Sequence, residues 1–176
     1  MFFSNSVMIV NISSKNQNDF EIRNVSFEKD KKFFSIMFDK NSKIGEIHWS
    51  ESFLHGKINI INFIKINNEF FLFTSSTQNY KPFETIIKKL FGEKTSVKIK
   101  YITFPINEEK SLYFPELLSI ELDKFFGINA VLRIENELIY TKIYSNGLIT
   151  YTQVNQVKST FEILKAIRKI IGAYEE

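Results

Sequence analysis

The sequence predicts an α+β fold made of two similar halves, and three observations carry that reading. A run of strand, polar turn and amphipathic helix occurs twice, at 68–92 and 146–172. The segments before each copy are rich in β-branched and aromatic residues in short runs bounded by turn chemistry. The chain has 176 residues, 44% of them hydrophobic and 24% charged, which suits one ordinary domain or two small halves that share a core.

Asn68, Thr74, Gln78, Phe83 and Glu84 fall on Asn146, Thr152, Gln156, Phe161 and Glu162 without a gap. The pseudo-repeats are therefore expected at about 1–93 and 94–176, with no linker between them.

Ser6–Ser13 reads as the strand that opens the first half. Residues 18–50 carry no clear helix and stay unassigned. A strand at 57–66 then meets the next across Asn67-Asn68, a hairpin-type turn. In the first helix Phe83, Ile86, Ile87, Leu90 and Phe91 form one apolar stripe, with Pro82 suited to its first position and Gly92 to its stop.

The second half opens with a strand at 97–104. Pro115 and Gly127 bracket a second predicted helix, followed by strands at 129–135 and 138–144. The turn Ser145-Asn146-Gly147 leads to the last strand. Ser159-Thr-Phe-Glu162 is the sequence of a capping box for the last helix, and Gly172 would end it. The half reads strand, helix, strand, strand, strand, helix.

Composition narrows function. Without cysteine there are no disulfides, thiolate nucleophiles or cysteine-bound zinc. His48 and His55 are two, too few for a three-histidine metal centre, and read as surface side chains. No phosphate loop, nucleophile elbow or zincin motif occurs. We expect no enzyme, no cofactor and no metal. No apolar run is long enough to span a bilayer, and the start lacks a basic secretory leader. The expected location is intracellular: nucleus, nucleoid or viral factory. The formal charge of +3 is modest, and the many Lys, Asn, Ile and Phe residues are what an A·T-rich genome imposes.

Two halves of β-α-β-β-β-α within one such chain resemble the TATA-binding protein core. Three details carry the resemblance. Val7-Met-Ile-Val-Asn11-Ile-Ser-Ser is similar to the family's opening strand with its groove-reading asparagine. Ile143-Tyr-Ser-Asn-Gly-Leu-Ile-Thr-Tyr-Thr152 is similar to its hairpin and following strand. Lys124-Phe-Phe-Gly127 is similar to its Leu-Phe-Pro-Gly. The resemblance implies a curved antiparallel saddle with helices on the convex face, which binds A·T-rich duplex DNA in the minor groove and recruits other transcription factors or polymerase subunits.

Carried over residue by residue, Tyr144 and Phe125 or Phe126 would be wedges between base steps, and Ile66 would stand at Tyr144's place in the first half. Asn11, Thr74 and Thr152 would read the groove, joined by Leu72 and Thr150 on the same faces and by Arg133. Lys88, Lys89, Lys165, Arg168 and Lys169 would form the helical partner surface. Tyr101 stands where the family has its second asparagine, neither hairpin keeps the phosphate-contacting lysine, and Lys142 falls where an apolar residue is usual. Those departures leave an alternative: a protein-interaction subunit of a transcription or replication complex that keeps the fold without specific DNA binding. A chance repeat within another α+β fold is the remaining one.

Overall fold

The computed structural model describes residues 3–13, 23–41, 43–52, 56–106, 110–123 and 125–174. The fold is α+β, with antiparallel strands and two α-helices. The chain divides into two compact units, Met1–Phe3 with Met8–Ile99, and Ser4–Val7 with Lys100–Glu176.

The first unit holds β1 (Ser6–Ser13) from Met8 onward, β2 (Val25–Lys29), β3 (Lys32–Phe38), β4 (Ile44–Ser50), β5 (Ile58–Ile66), β6 (Glu69–Leu72), α1 (Tyr80–Phe91) and β7 (Ser96–Ile99). Its strands run in the order β2-β3-β4-β5-β6-β1, with β7 also on β1. The described part of the region left unassigned from sequence, 23–41 and 43–50, thus holds three antiparallel strands in sequence order. Its β2–β3 turn places Asp30 and Lys31 at φ 51° and 62°, a two-residue turn built without the glycine that would have signalled it.

Alternation gives this sheet two faces. Met8, Val10, Ile36, Ile47, Ile61, Phe63, Phe70 and Leu72 bury against Phe83, Ile86 and Ile87 of α1. The rings of Phe70 and Phe83 lie 4.9 Å apart. Pro82 is the third helical residue rather than the first, still within the turn whose N–H groups have no helical acceptor. A 3-10 turn, Thr77–Asn79, precedes the helix, and the Ser76 side chain accepts from the Gln78 N–H at 3.3 Å. The Gly92 N–H donates to the Lys88 carbonyl and closes the helix.

In the second unit β8 (Leu117–Asp123), β9 (Gly127–Ile134), β10 (Glu137–Tyr144) and β11 (Leu148–Tyr151) form a meander, and α2 (Val157–Tyr174) follows. Ile128, Ala130, Leu132, Ile139, Ile143 and Ile149 are buried on one face, and Ile163, Leu164, Ile167, Ile170 and Ile171 are the buried stripe of α2, which packs on β9.

Four expectations are corrected here. The helix expected at 115–127 is strand β8. Ile120 and Leu122 alternate with exposed Ser119, Glu121 and Asp123, a period of two that outweighs the Pro and Gly bracket. The strand expected at 97–104 ends at Ile99. The capping box does not form, because α2 begins at Val157. Ser159 instead donates to the Glu135 carboxylate at 3.4 Å, and Gly172 lies inside the helix.

The repeat carries a hidden slip. Two residues, Asn67-Asn68, join β5 to β6, whereas three, 145–147, join β10 to β11. Phe73 donates its N–H to the Asn62 carbonyl at 2.9 Å, and Thr152 donates to Tyr140 at 3.0 Å. Asn62 and Tyr140 correspond in the ungapped register, so Phe73, not Thr74, is the counterpart of Thr152. A one-residue slip reverses the faces of a strand. Leu72 therefore points to α1, while Thr150 points away from α2.

Candidate nucleic-acid interface

Among the described residues, one face of the second unit's sheet carries exposed and half-buried side chains. Leu138, Tyr140, Lys142 and Tyr144 occupy alternate positions of β10, opposite to the buried Ile139, Thr141 and Ile143. Cross-strand pairing extends this face sideways as a row of Glu121, Asn129, Lys142 and Thr150. A depression of about 550 Å³ opens here, lined among others by Asn5, Ser119, Asn129, Tyr140, Lys142 and Thr150.

At one end of the face the β8–β9 turn presents Phe125 and Phe126, 67% and 66% exposed. The Asp123 carboxylate accepts from both of their N–H groups, at 3.1 and 3.2 Å, and so shapes the turn. Gly127 pairs with Tyr144, and a Cβ at Gly127 would fall on the Ile143 carbonyl. Backbone proximity here thus requires glycine. The Ser145 N–H donates to the Phe126 carbonyl at 3.0 Å. Phe125 and Phe126, which the resemblance sets beside Tyr144, lie on the turn that adjoins the end of β10 carrying Tyr144.

Lys142 sits 5.1 Å from the Tyr144 ring centroid, a cation–π approach. Arg133 is exposed on β9 and pairs with Leu138. Thr152 is exposed, and its hydroxyl accepts from the Tyr140 N–H at 3.0 Å. Tyr151 is buried, donates its hydroxyl to the Ser4 carbonyl at 2.9 Å, and burial pushes its ionisation well above the ordinary tyrosine range.

In the first unit the expected readers separate. Asn11 is exposed and pairs with Glu69 and Lys98, and Ile66 is half-buried at the end of β5. Leu72 and Thr74 are buried, contrary to expectation. Leu72 belongs to the core under α1, and the Thr74 hydroxyl accepts from Asn79 Nδ2 at 2.7 Å and from the Ser76 N–H at 3.2 Å, a loop-organising role. Beside the end of β5 lies the β3–β4 turn, where the Lys65 N–H donates to the Lys43 carbonyl. Asp39, Lys40, Asn41 and Lys43 occupy it, so its described residues include no aromatic wedge beside Ile66.

The five cationic helix residues expected to meet partners are engaged within the chain. Lys88 pairs with Glu84 at 2.7 Å, Lys165 with Glu162 at 2.8 Å, and Lys169 with Glu116 at 3.0 Å. Lys89 lies 5.8 Å from the Phe27 ring centroid, and Arg168 is half-buried on α2. The Lys169 hydrogen bond holds the Glu116 carboxyl below its ordinary value. His48 Nε2 lies 3.1 Å from the Glu46 carboxylate, and His55 and Lys124 lie outside the described residues. Among the described residues no group of three metal-ligating side chains forms, and no helix is long and apolar enough to cross a membrane.

Asn5, Ser119, Glu121, Asn129, Leu138 and Tyr140 are members of this face that sequence reasoning missed. The signal for Tyr140 was present in the strict alternation of β10. That for Ser119 and Glu121 was hidden by reading β8 as a helix.

Compared with known protein families, curated proteins and solved structures, the chain matches none of them.

Proposed function

We propose that this protein is a divergent relative of the TATA-binding protein that binds A·T-rich duplex DNA in the minor groove. The observation that carries the reading is the cluster of Phe125, Phe126 and Tyr144 at one end of this sheet face. Two adjacent phenylalanines at about two-thirds exposure are costly in water and call for an apolar occupant. Large apolar side chains at strand ends wedge between base steps and kink the duplex, at a few kcal/mol per step, offset by contacts that the bend permits.

Other side chains of the face, Glu121 apart, suit that occupant. Asn129, Thr150 and Thr152 offer donors to the acceptors that A·T and T·A share in the minor groove. Lys142 and Arg133 offer charge to phosphates. Because the described β3–β4 turn residues are polar, the kink is set at the second unit only, and the bend is smaller than a two-wedge saddle would impose. The engaged helix cations are structural in this reading, and recruitment of transcription factors or polymerase subunits falls to other surfaces.

Fluorescence anisotropy against an A·T-rich and a matched G·C-rich duplex, at two salt concentrations, tests it. Binding to the A·T duplex that falls at least tenfold in Phe126→Ala/Tyr144→Ala supports the proposal. With a net charge of only +3 the salt slope should be shallow. Equal, weak and steeply salt-dependent binding to both duplexes would overturn it.

One observation favours the alternative of a protein-interaction subunit. On the first unit's face away from α1, Met37, Ile58 and Ile60 are exposed, and β2 to β6 place no lysine or arginine on it. A surface with exposed apolar residues and no lysine or arginine fits a protein partner better than a phosphate backbone. Ile60→Glu would then abolish complex formation and leave DNA affinity unchanged.

A further inference from the structure

We infer that the depression on the second unit takes an unpaired nucleobase, so that this face also holds a short single-stranded segment. The inference rests on reading the face as a nucleic-acid surface and goes beyond it by naming a second form of ligand and the residues that receive it.

Glu121 decides the matter. The minor groove over A·T pairs presents only acceptors. A carboxylate beside Asn129 has nothing to accept there and repels the phosphates. Unpaired adenine and cytosine carry exocyclic amino donors, which a carboxylate accepts and which their pairing edges expose.

The surroundings fit a base. About 550 Å³ is within the range of small-ligand sites. Tyr140 is 63% exposed, and its backbone is held on both sides by Thr152, at 3.0 Å each way, so the ring stands on a fixed strand. Among the described residues the side chains of Ser119, Glu121, Asn129 and Thr150 make no hydrogen bond or ion pair, which leaves them available. Asn129 can donate and accept on a base edge, and Lys142 can neutralise a phosphate. Tyr140 and Tyr144 are four residues apart on one strand, about 13 Å, which spans roughly four nucleotides at stacking distance. That matches the smallest sites of sheet-based single-strand binders, where aromatic rings stack successive bases.

Anisotropy of the full chain with short labelled oligo(dA), oligo(dC), oligo(dT) and oligo(rA), with the A·T duplex alongside, tests the inference. Oligo(dA) and oligo(dC) should bind more tightly than oligo(dT), which lacks the amino group. Tyr140→Ala should weaken strand binding about tenfold or more. Tyr140→Phe keeps the ring and should retain it, which separates stacking from misfolding. Glu121→Ala removes the acceptor and should erase the preference over oligo(dT). Tighter binding of oligo(rA) or of oligo(dA) supports the inference and identifies the nucleic acid. Indifference to base, or strand affinity unchanged in Tyr140→Ala, overturns it even if the duplex binds. Strand binding through Tyr140 without duplex binding overturns the duplex proposal and leaves this one standing.

Discussion

Ser145 donates its backbone N–H to the carbonyl of Phe126 at 3.0 Å, which ties the turn between β10 and β11 to the turn between β8 and β9. That bond, the pairing of Gly127 with Tyr144 and the Asp123 carboxylate together hold the exposed phenylalanines beside Tyr144. They predict that function and stability separate at this end of the sheet. Phe126→Ala removes a side chain that is mostly in water, so its melting temperature should stay within a few degrees of the parent. Gly127→Ala forces a Cβ onto the Ile143 carbonyl and should destabilise by about 1–3 kcal/mol. Thermal denaturation of the two variants would show the contrast, and equal losses would refute it.

Phe83 is fully buried against Phe70, and no other ring of α1 reaches the centre of that core. Phe83→Ala should cost about 3–5 kcal/mol through lost transfer energy and a residual cavity. Urea denaturation with an unchanged slope would report that loss as stability alone.

The β2–β3 turn holds Lys31 at φ 62°, a left-handed conformation that costs a side-chain-bearing residue about 1 kcal/mol or more. Lys31→Gly should therefore stabilise by roughly 0.5–1 kcal/mol, net of glycine's greater entropy when unfolded. A lower midpoint in urea would contradict this.

Tyr151 predicts an alkaline transition. Its folded ionisation is raised by burial, so the folded state keeps the phenol proton where the unfolded state has lost it. The contribution is fully present below the ordinary tyrosine value of about 10 and is lost as pH rises through the folded one. Tyr151→Phe removes the bond to Ser4, should cost about 1 kcal/mol near neutral pH, and should flatten the fall in stability above pH ~10. Chemical denaturation across that range measures both.

Glu116 predicts the opposite slope. Its hydrogen bond from Lys169 lowers the carboxyl's value, so its contribution is present above the ordinary carboxylate value and is lost as pH falls through the folded one. Lys169→Ala should move Glu116 up toward the ordinary range in an NMR titration, while its backbone hydrogen bond and Lys165 still hold it down in part. The energetic effect should stay below about 1 kcal/mol, because the pair is partly solvated.

Much of this fold is written locally. The opening strand, both hairpins and both helices follow from side-chain periods and from turn residues such as Asn67 and Gly147, which act within a few neighbours. The resemblance set Phe125 or Phe126 beside Tyr144, and the structure has them on adjoining strand ends. Non-local pairing decided the rest. The segment from Pro115 to Gly127 satisfies the punctuation of a helix, yet it is a strand because β9 offers an unpaired edge and an apolar row that Ile120 and Leu122 complete. Leu72 and Thr150 share a place in the sequence repeat but face opposite ways, because one extra turn residue reverses a strand without altering its composition. The sequence determined which segments carry amphipathic faces, since that is a property of spacing. Only the tertiary structure decided which face each shows to a helix and which to solvent, since that depends on the register a strand takes against its neighbour.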